Sequence, residues 1–524
     1  MGPAARHPWR LTVANESEFY DVAIVGYGPV GQVLAGLLGS RGHRVAVIER
    51  HHEIYPLPRA VRSDGEVLRV MQNLGVMDDI AHELLPVSQY TWFGADGDPI
   101  MRIDIPPHPS GWPDVLFHQP TLETALRARV DRESSVDVML GWMVETVSQA
   151  GDEVALTAVS DRGETTTVRS RYVVGADGAN SVVRQQAGIG QADLGFSEYW
   201  LVVDIRPFDM NDFAHLPAAC QRCDPTRPAT VVGNGTRHRR WEFMLLPGET
   251  PDDFTDPARV WELLGDGVGP ERAELVRHAV YNFRSLIAES LQNGRVFLAG
   301  DAAHVMPPFM GEGMCTGIRD ANNLAWKLDL VLRDLASPEV LCSYGPERLP
   351  FVHHAVHFSV EMGKVSCVLD PMAAAGRDAA TRSVQAPTPP SPPLMASPLI
   401  ANDPADLLAG RLSVQGNFAR AKSDGHRADD LLGSSFTLIV SSGDPLDQAE
   451  PTLLAWFASI GGTVATLDSA VVGHLTDTDG VFTQWLQAHN ASGVVTRPDQ
   501  YVFGSTCGSR RAAELLDQLR SALG

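Results

Sequence analysis

The sequence has few cysteines, a deficit of positive charge and no long apolar run. Its six cysteines are scattered over 524 residues, at positions 220, 223, 315, 342, 367 and 507. This usage is too sparse for a disulfide-stabilised secreted scaffold and indicates a reduced, cytoplasmic protein. Cys220 and Cys223 have the spacing of a metal or redox pair, but no second pair accompanies them. We therefore expect no bound metal.

The charge balance and the hydropathy exclude further classes of protein. The chain has 42 Lys and Arg residues against 64 Asp and Glu residues, a net charge of −22, which repels nucleic-acid phosphates and anionic membranes. Nowhere do 18 apolar residues stand together, so no transmembrane helix is predicted. Residues 1–18 lack the apolar core of a signal peptide and are predicted as a flexible tail. The expected partners are small molecules.

The part that follows the tail predicts an α/β fold. The stretch "YDVAIVGYGPVGQVLAGLLGSRGHRVAVIER", which begins at Tyr20, indicates a strand, a helix and a second strand. Segments at about 85–110 and 190–290 mix alternating apolar and polar residues with turn signals, which is typical of antiparallel strands. We predict a Rossmann-like dinucleotide-binding domain over 19–385, interleaved with a mixed β-sheet domain that holds the substrate.

The last part of the chain predicts a separate, smaller domain. Six prolines fall between Ala386 and Pro398, and proline can continue neither a helix nor a central strand, so residues 386–401 are predicted as a linker. Beyond it, "SSFTLIVSS" and "TVATLD" indicate strands, and "SRRAAELLDQLRSALG" indicates an amphipathic helix. This pattern predicts an α/β domain over 402–524.

Three separated motifs point to one dinucleotide. Gly26, Gly28 and Gly31 form a GxGxxG turn between a strand and a helix, and Glu49 ends the next strand, where a carboxylate can accept hydrogen bonds from a ribose. In the second motif, "RYVVGADGANSVVRQQAG", a strand delivers Asp177 and a new helix carries Arg184. Taken alone, this Asp-Gly pair is an ordinary capped turn.

The third motif is "GRVFLAGDAAHVMPPFMGEGMCTGIRDANNLAWKL", which begins at Gly294. An acid at the end of a strand, Asp301, suits a polyol hydroxyl. The glycines that lead into the next helix expose amides to an anionic or carbonyl-bearing group. The alternative interpretation is again a capped turn.

In this order and separation, the three motifs resemble those of the class A flavoprotein aromatic hydroxylases of the para-hydroxybenzoate hydroxylase fold. "CDPTRPATVV" and "PPFMGEGMCTGIRDANNLAWKL" are similar to the 3-(3-hydroxyphenyl)propionate hydroxylase branch and its polyketide-tailoring relatives. The resemblance is strong from Phe19 to Phe351 and continues through a thioredoxin-like C-terminal domain, where "GVVTRPDQYVFG" carries it. A single cysteine there, Cys507, excludes dithiol exchange and favours a role in packing or in a homodimer.

The resemblance implies an FAD-dependent monooxygenase that uses NAD(P)H and O2 to hydroxylate a phenolic or polycyclic aromatic compound through a flavin C4a-hydroperoxide. Baeyer–Villiger insertion, epoxidation, or a flavin-binding scaffold without turnover are the alternatives. Asp177 and Arg184 belong to a motif that such enzymes use for both FAD and the nicotinamide cofactor. The cofactor-binding positions that the resemblance implies are Gly26, Gly28, Gly31, Glu49, Arg50, Arg59, Gln119, Asp177, Arg184, Asp301, Gly311, Glu312, Gly313, Met314 and Cys315.

Two of these positions depart from the family pattern, and the substrate pocket is less well defined. Glu312 stands where most relatives have Gln, which predicts an anion that opposes negative charge on reduced flavin. Cys315 replaces an asparagine and is interpreted as a small residue at a helix start. The sequence indicates no catalytic base. Candidate substrate contacts are aromatic or conformationally rigid residues, namely Tyr90, Trp92, Tyr199, Trp200, Trp241 and Pro307.

Overall fold

A computed structural model describes residues 19–55, 60–265, 267–383, 393–394, 397–401, 403–420, 425–441, 450–467, 474–507 and 511–524. The predicted tail at 1–18, Arg59 and most of the predicted linker lie outside this part of the chain. Strands β1–β26 and helices α1–α13 are numbered along the chain. No helix of the described residues is long and apolar enough to cross a membrane.

The first large sheet contains the predicted strand–helix–strand unit, which is confirmed. β1 pairs in parallel with β2 on one side and with β11 on the other, and α1, Pro29–Gly39, connects β1 to β2. The apolar runs of β1 and β2 are buried because helices and strands cover both faces. The strands of this first sheet are β1 Phe19–Val25, β2 Val45–Glu49, β8 Val136–Leu140, β9 Trp142–Ala150, β10 Glu153–Ser160, β11 Thr165–Gly175, β17 Gln292–Asn293 and β18 Val296–Leu298.

The second large sheet is mixed, as predicted, and runs in the order β19-β16-β12-β15-β14-β13-β5-β6. Its pairs are antiparallel except for β13 with β5. One face packs on an apolar cluster that includes Leu201, Val203 and Phe243. The strands are β5 Gln89–Phe93, β6 Pro99–Asp104, β12 Gln191–Pro207, β13 Ala219–Arg222, β14 Ala229–Asn234, β15 His238–Met244, β16 Ala273–Ala288 and β19 His304–Val305.

Helices and a small sheet join the two large sheets. The longest buried helix, α7, runs from Gly313 to Leu332 and packs against α1 and α8. A three-stranded sheet is formed by β3 Arg62–Ser63, β4 Leu85–Pro86 and β7 Val115–Leu116. The other helices here are α2 Gly65–Leu74, α3 Met77–Ile80, α4 Gln119–Val130, α5 Val182–Gln186, α6 Pro257–Leu264, α8 Tyr344–Ser366 and α9 Pro371–Arg382.

The C-terminal part has a four-stranded sheet in the order β23-β22-β25-β26, in which only β22 and β23 are parallel. A second sheet of three short strands has the order β21-β20-β24. The strands are β20 Asn417–Ala419, β21 His426–Arg427, β22 Thr437–Ser441, β23 Thr463–Leu467, β24 Thr476–Asp477, β25 Ala491–Thr496 and β26 Val502–Cys507. The helices are α10 Ala428–Leu432, α11 Pro451–Ser459, α12 Val481–Ala488 and α13 Ala512–Leu523.

Buried ion pairs fix this C-terminal part to α7 and α8. Arg497 donates to both oxygens of Glu347, at 2.9 and 2.8 Å, and to Asp499 at 2.6 Å. Lys327 of α7 donates to the same Glu347 at 2.9 Å. Arg497 and Lys327 hold the pKa of Glu347 well below its usual range, because in a buried site they outweigh the cost of desolvation. The C-terminal part is therefore docked on α8 and on α7, the helix of the third motif.

Candidate functional site

A cavity of about 1430 Å³ lies between the carboxyl ends of the first sheet's parallel strands and one face of the second sheet. It is the natural place for a ligand, because open α/β sheets bind at the carboxyl ends of their strands. Of the residues proposed from sequence, those that line it are Gly26, Gly28, Glu49, Arg50, Tyr90, Gln119, Asp177, Asp301, Gly311, Glu312, Gly313 and Met314.

The first glycine turn requires glycine at two positions for steric reasons. Gly26 has φ +103°, and a Cβ there would stand 2.3 Å from the carbonyl oxygen of Ala176. A Cβ on Gly31 would stand 2.1 Å from the carbonyl oxygen of Gly26, so Gly31 permits close packing behind the turn without lining the cavity. Gly28 is different, because a Cβ there would meet nothing within 4 Å. The turn thus presents bare backbone to the cavity at Gly28.

Glu49 and Gln119 hold the backbone around this end of the cavity. The Glu49 carboxylate accepts hydrogen bonds from the amides of Tyr27 at 2.7 Å and His51 at 2.8 Å. Gln119 begins α4, and its Oε1 accepts from the amide of Ala60 at 2.8 Å. Arg50 is exposed at the mouth of the cavity. These contacts fix loop backbone and leave the polar side chains at the cavity surface.

The second and third motifs meet behind the cavity. Asp177 Oδ2 accepts hydrogen bonds from the amides of Val182 and Val183, whereas its Oδ1 is buried without a partner among the described residues. Burial raises the pKa of this carboxyl. Arg184 does not line the cavity; it donates to the carbonyl of Ala302 at 3.0 Å and so ties the second motif to the third.

The third motif presents the amino end of α7 to the cavity. Gly311 has φ +66°, and a Cβ there would stand 2.9 Å from the Cβ of Arg62. Gly313 and Met314 begin α7 and line the cavity, as does Asp301. A helix amino terminus carries unpaired amides and partial positive charge, so this end of the cavity favours a carbonyl or an anion.

Glu312 lies between two arginines. Arg62 Nη1 donates to Glu312 Oε1 at 2.5 Å, and Arg319 Nη1 donates to Oε2 at 3.3 Å. Arg62 also donates to the carbonyl of Met310 at 2.9 Å and to Asp114. The negative charge that the sequence introduces at position 312 is therefore balanced by neighbours distant in the chain.

Asp64, Glu312 and Cys315 bring ligand atoms within 4.8 Å of one another, a grouping that could hold a metal ion. Both carboxylates already pair with guanidinium groups, however: Arg319 donates to Asp64 at 2.5 Å, and Asp64 also caps α2. Cys315 is fully buried behind the lining, and burial raises the pKa of its thiol well above the usual value. The arginine pairing gives the carboxylates a structural role, so we retain the prediction of no metal.

The second sheet contributes charged side chains to the cavity that sequence reasoning missed. Asp204 of β12 pairs with Arg240 of β15 at 2.7 and 2.9 Å and with Arg277 of β16 at 2.5 Å. The two arginines lower the pKa of Asp204 to about 2 despite its burial. Glu242 and Tyr281 line the cavity beside this cluster. The available sequence signal is the period-two placement of charges in the otherwise buried strand β15, "HRRWEFM".

Five of the six aromatic or proline candidates lie away from the cavity lining, because they occupy the other face of a strand or the core. Trp92 and Trp200 are fully buried, and Trp241 packs with Phe213 behind the sheet. Tyr199 is 49% exposed on the outer surface. Pro307 does not line the cavity, whereas the adjacent Pro308 does. We therefore retain only Tyr90 as a candidate contact.

Comparison with models of protein families identifies the family of this chain. The family model described as FAD binding domain matches residues 19–359. The chain belongs to the FAD binding domain family. A second model, described as HcaD C-terminal domain, matches residues 410–522 of this FAD-binding protein. The resemblance to flavoprotein aromatic hydroxylases that the three motifs indicated is thus confirmed.

Relatives cover nearly the whole FAD-binding protein. A probable NADH-specific resorcinol 4-hydroxylase from Rhodococcus jostii is 38% identical over 96% of this chain and 95% of its own. A 3-(3-hydroxy-phenyl)propionate/3-hydroxycinnamic acid hydroxylase from Mycolicibacterium gilvum is 31% identical over 97% and 93%. The crystal structure of the flavin-dependent monooxygenase PieE with FAD and substrate has a TM-score of 0.82 over 97% of this chain and 99% of that one. Its identity is 21%, so it shows a shared fold alone.

The residues of the cavity fit FAD. Gly28 leaves backbone uncovered at the amino end of α1, and helix ends of this kind bind phosphate groups such as those of FAD. The unpartnered Oδ1 of Asp177 matches a ligand that brings hydrogen-bond donors, since buried polar atoms are rarely left unpaired. The amino end of α7 supplies a second set of amides at the far end of the cavity.

Proposed function

We propose that this protein is an FAD-dependent monooxygenase that uses NADH and O2 to hydroxylate a small phenol. The observation that carries the proposal is the continuous cavity, which runs from the glycine turn at Gly28 to the charged face of the second sheet. One end suits a dinucleotide, and the other suits a ring that bears hydroxyl groups. The names of the relatives from Rhodococcus jostii and Mycolicibacterium gilvum support a single-ring phenol and NADH.

The assignment of residues to FAD is part of this proposal. Gly26, Gly28 and Gly31 form the pyrophosphate turn, Glu49 binds the adenosine ribose, and Arg50 lies beside the adenine. Asp301 binds the ribitol, and the amides of Gly311 to Cys315 approach the pyrimidine edge of the flavin. Asp177 caps the short helix of the second motif beside the cofactor, and Arg184 ties that motif to the third. Gln119 and Arg59 complete the set.

Reduced flavin, when bound, activates O2 and supplies one oxygen atom to the aromatic ring. The protein's part is to bind the ring, orient it and exclude water. Val202, Met306 and Phe309 give the cavity an apolar wall, while the Asp204 cluster provides fixed charge at one side. The ion pairs between Glu312 and the two arginines keep the amino end of α7 free of an uncompensated anion.

The proposal extends to the C-terminal part, which we assign to a thioredoxin-like fold that packs rather than catalyses. Its four-stranded sheet with helices supports that assignment. Five cysteines elsewhere in the described part of the chain are unpaired, which fits a cytoplasmic location. They are Cys220, Cys223, Cys315, Cys342 and Cys367. A homodimer is a further prediction, which light scattering tests.

The proposal is tested on the purified, FAD-reconstituted protein. NADH oxidation is followed with a panel of phenols that includes resorcinol and 3-(3-hydroxyphenyl)propionate, and products are analysed by mass spectrometry. We expect a yellow protein, stimulated NADH oxidation and a product heavier by one oxygen atom. A yellow protein that oxidises no NADH with any phenol refutes the enzyme, and a protein that binds no FAD refutes the flavin site as well.

A further inference from the structure

Glu242 is a deeply buried carboxylate near the centre of the second sheet. It lies on β15, between Val202 of β12 and Thr230 of β14, and only 7% of its surface is exposed. The side chains of Trp241 and Phe243 pack into the apolar cluster behind the sheet, so the alternation of the strand turns Glu242 to the opposite face. That face lines the cavity.

Within the part of the chain that the structure describes, no group hydrogen-bonds to this carboxylate. Its nearest cation is Arg240, whose Nη1 stands 3.8 Å from Oε1, which is too far for a hydrogen bond. The Nε and Nη2 groups of Arg240 are directed to Asp204 instead. A buried carboxylate without a donor is costly, which makes it a candidate for a functional group.

The other deeply buried carboxylates of the cavity lining all have partners. Asp114 accepts from Arg62, and Arg319 donates to both Asp64 and Glu66. Glu123 accepts from Gln119 at 2.8 Å and from Gln32 at 3.2 Å. Glu242 therefore differs from these four in that neither of its oxygens accepts a hydrogen bond from a described residue. The less buried Asp177 has one open oxygen, Oδ1, but its Oδ2 accepts two.

The surroundings keep this carboxylate basic. Burial raises the pKa of Glu242. The positive charges of Arg240 and Arg277 oppose that shift, whereas the negative charge of Asp204 adds to it. Tyr90, on β5 of the same sheet, also interacts with it: burial raises the pKa of the Tyr90 hydroxyl well above the usual value, and the negative charge of Glu242 adds to the shift. A carboxylate with a raised pKa is a better proton acceptor than an ordinary one.

We propose that Glu242 is the general base for the ring hydroxyl of the phenol, an inference that rests on the proposed hydroxylation. The hydroxyl O–H bond breaks, the proton passes to a Glu242 oxygen, and the electron pair increases electron density at the ring carbons ortho and para to it. One oxygen atom of O2 bonds to such a carbon, which then loses its own proton. The O–O bond breaks as this C–O bond forms, and the second oxygen atom leaves as water. NADH supplies the two electrons and one proton as hydride, and solvent supplies the other proton.

The test compares wild-type protein with Glu242→Gln, using resorcinol. The amide still accepts a hydrogen bond, so calorimetry on FAD-loaded protein without NADH should give a Kd within about fivefold of wild type. The rate of hydroxylation should fall by about 100-fold or more, because the amide cannot take the proton. A fluorinated, more acidic resorcinol needs less help from a base and should reduce that difference.

Glu198→Gln is the matched control, since burial also raises the pKa of Glu198, which lies on β12 but does not line the cavity. It should leave both Kd and rate unchanged. If Glu242→Gln hydroxylates resorcinol at the wild-type rate, the inference is overturned and the proposed function stands. If wild-type protein hydroxylates no phenol, the proposed function itself fails.

A second measurement needs no variant. Because Glu242 must be ionised to accept a proton, kcat/KM of the wild-type protein should fall as the pH falls through a pKa above the ordinary glutamate value of about 4.3. A profile whose acidic limb lies at or below that value would assign the proton to an arginine-paired carboxylate such as Asp64, and would overturn the role of Glu242.

Discussion

Replacing Gly28 with alanine separates the cofactor site from the stability of the fold. A Cβ at this position meets no atom within 4 Å, and the backbone, at φ −77° and ψ −175°, is acceptable for alanine. The unliganded protein should therefore fold normally. The added methyl group, however, would occupy the space through which a pyrophosphate approaches the backbone.

The expected loss can be estimated. An extra methyl group in a packed contact costs about 1–3 kcal/mol, which corresponds to a Kd for FAD that is about 5 to 150 times higher. Titration of the apoprotein with FAD, followed by quenching of flavin fluorescence, measures that change. The melting temperature of the apoprotein should stay within the scatter of wild type.

Two further alanine variants make the result specific. A Cβ on Gly376 would also meet no atom within 4 Å, but this residue lies in α9, remote from the cavity lining, so Gly376→Ala should bind FAD as wild type does. Gly26→Ala should instead destabilise the apoprotein, because its φ is +103° and Ala176 obstructs the Cβ. Wild-type FAD affinity in Gly28→Ala would refute the assigned pyrophosphate turn.

Substitutions at three other residues, one of them paired with a control, test the remaining elements. Asp301→Ala should weaken FAD binding by about 1–3 kcal/mol, and a variant that stays fully yellow through gel filtration would show the ribitol assignment to be wrong. Glu312→Gln should still bind FAD, but the midpoint potential of the flavin should rise because two arginines lose their counter-charge. The expected rise is about 30 mV, equivalent to about 1.4 kcal/mol for two electrons. An unchanged potential in spectroelectrochemistry would contradict this. Arg497→Ala should lower the free energy of unfolding by about 3–5 kcal/mol. The control Arg520→Ala removes an exposed pair with Asp517 and should change the free energy of unfolding by less than about 1 kcal/mol. Equal effects in urea denaturation would contradict a stabilising role for the buried ion pairs of Arg497.

The features that sequence reasoning predicted well are local ones. Gly26, Gly28 and Gly31 lie within one strand–turn–helix unit, and their spacing alone predicted the turn that the structure forms. The same is true of Glu49, which ends the next strand of that unit, and of the Gly-Asp pair at Gly300 and Asp301. Each requirement is met by neighbours in the chain, and a linear pattern records it.

The features that were missed depend on contacts between distant parts of the chain. In the sequence, Glu312 has no counter-charge among its neighbours. In the structure, Arg62, which is 250 residues away in the chain, lies beside it. Trp241 was proposed as a substrate contact, but the strand turns its neighbours Arg240 and Glu242 to the cavity and Trp241 to the core. Strand alternation indicates that adjacent residues face opposite ways, but not which face meets the ligand until the whole sheet is assembled.

The measurement that tests the central claim most directly uses isotopically labelled oxygen. FAD-reconstituted protein is incubated with NADH and resorcinol under ¹⁸O2, and the organic product is analysed by mass spectrometry. The proposed monooxygenase incorporates one ¹⁸O atom per product molecule, with NADH consumed in equal amount. Consumption of NADH with hydrogen peroxide as the sole product of O2, or a product that contains only unlabelled oxygen, would contradict it.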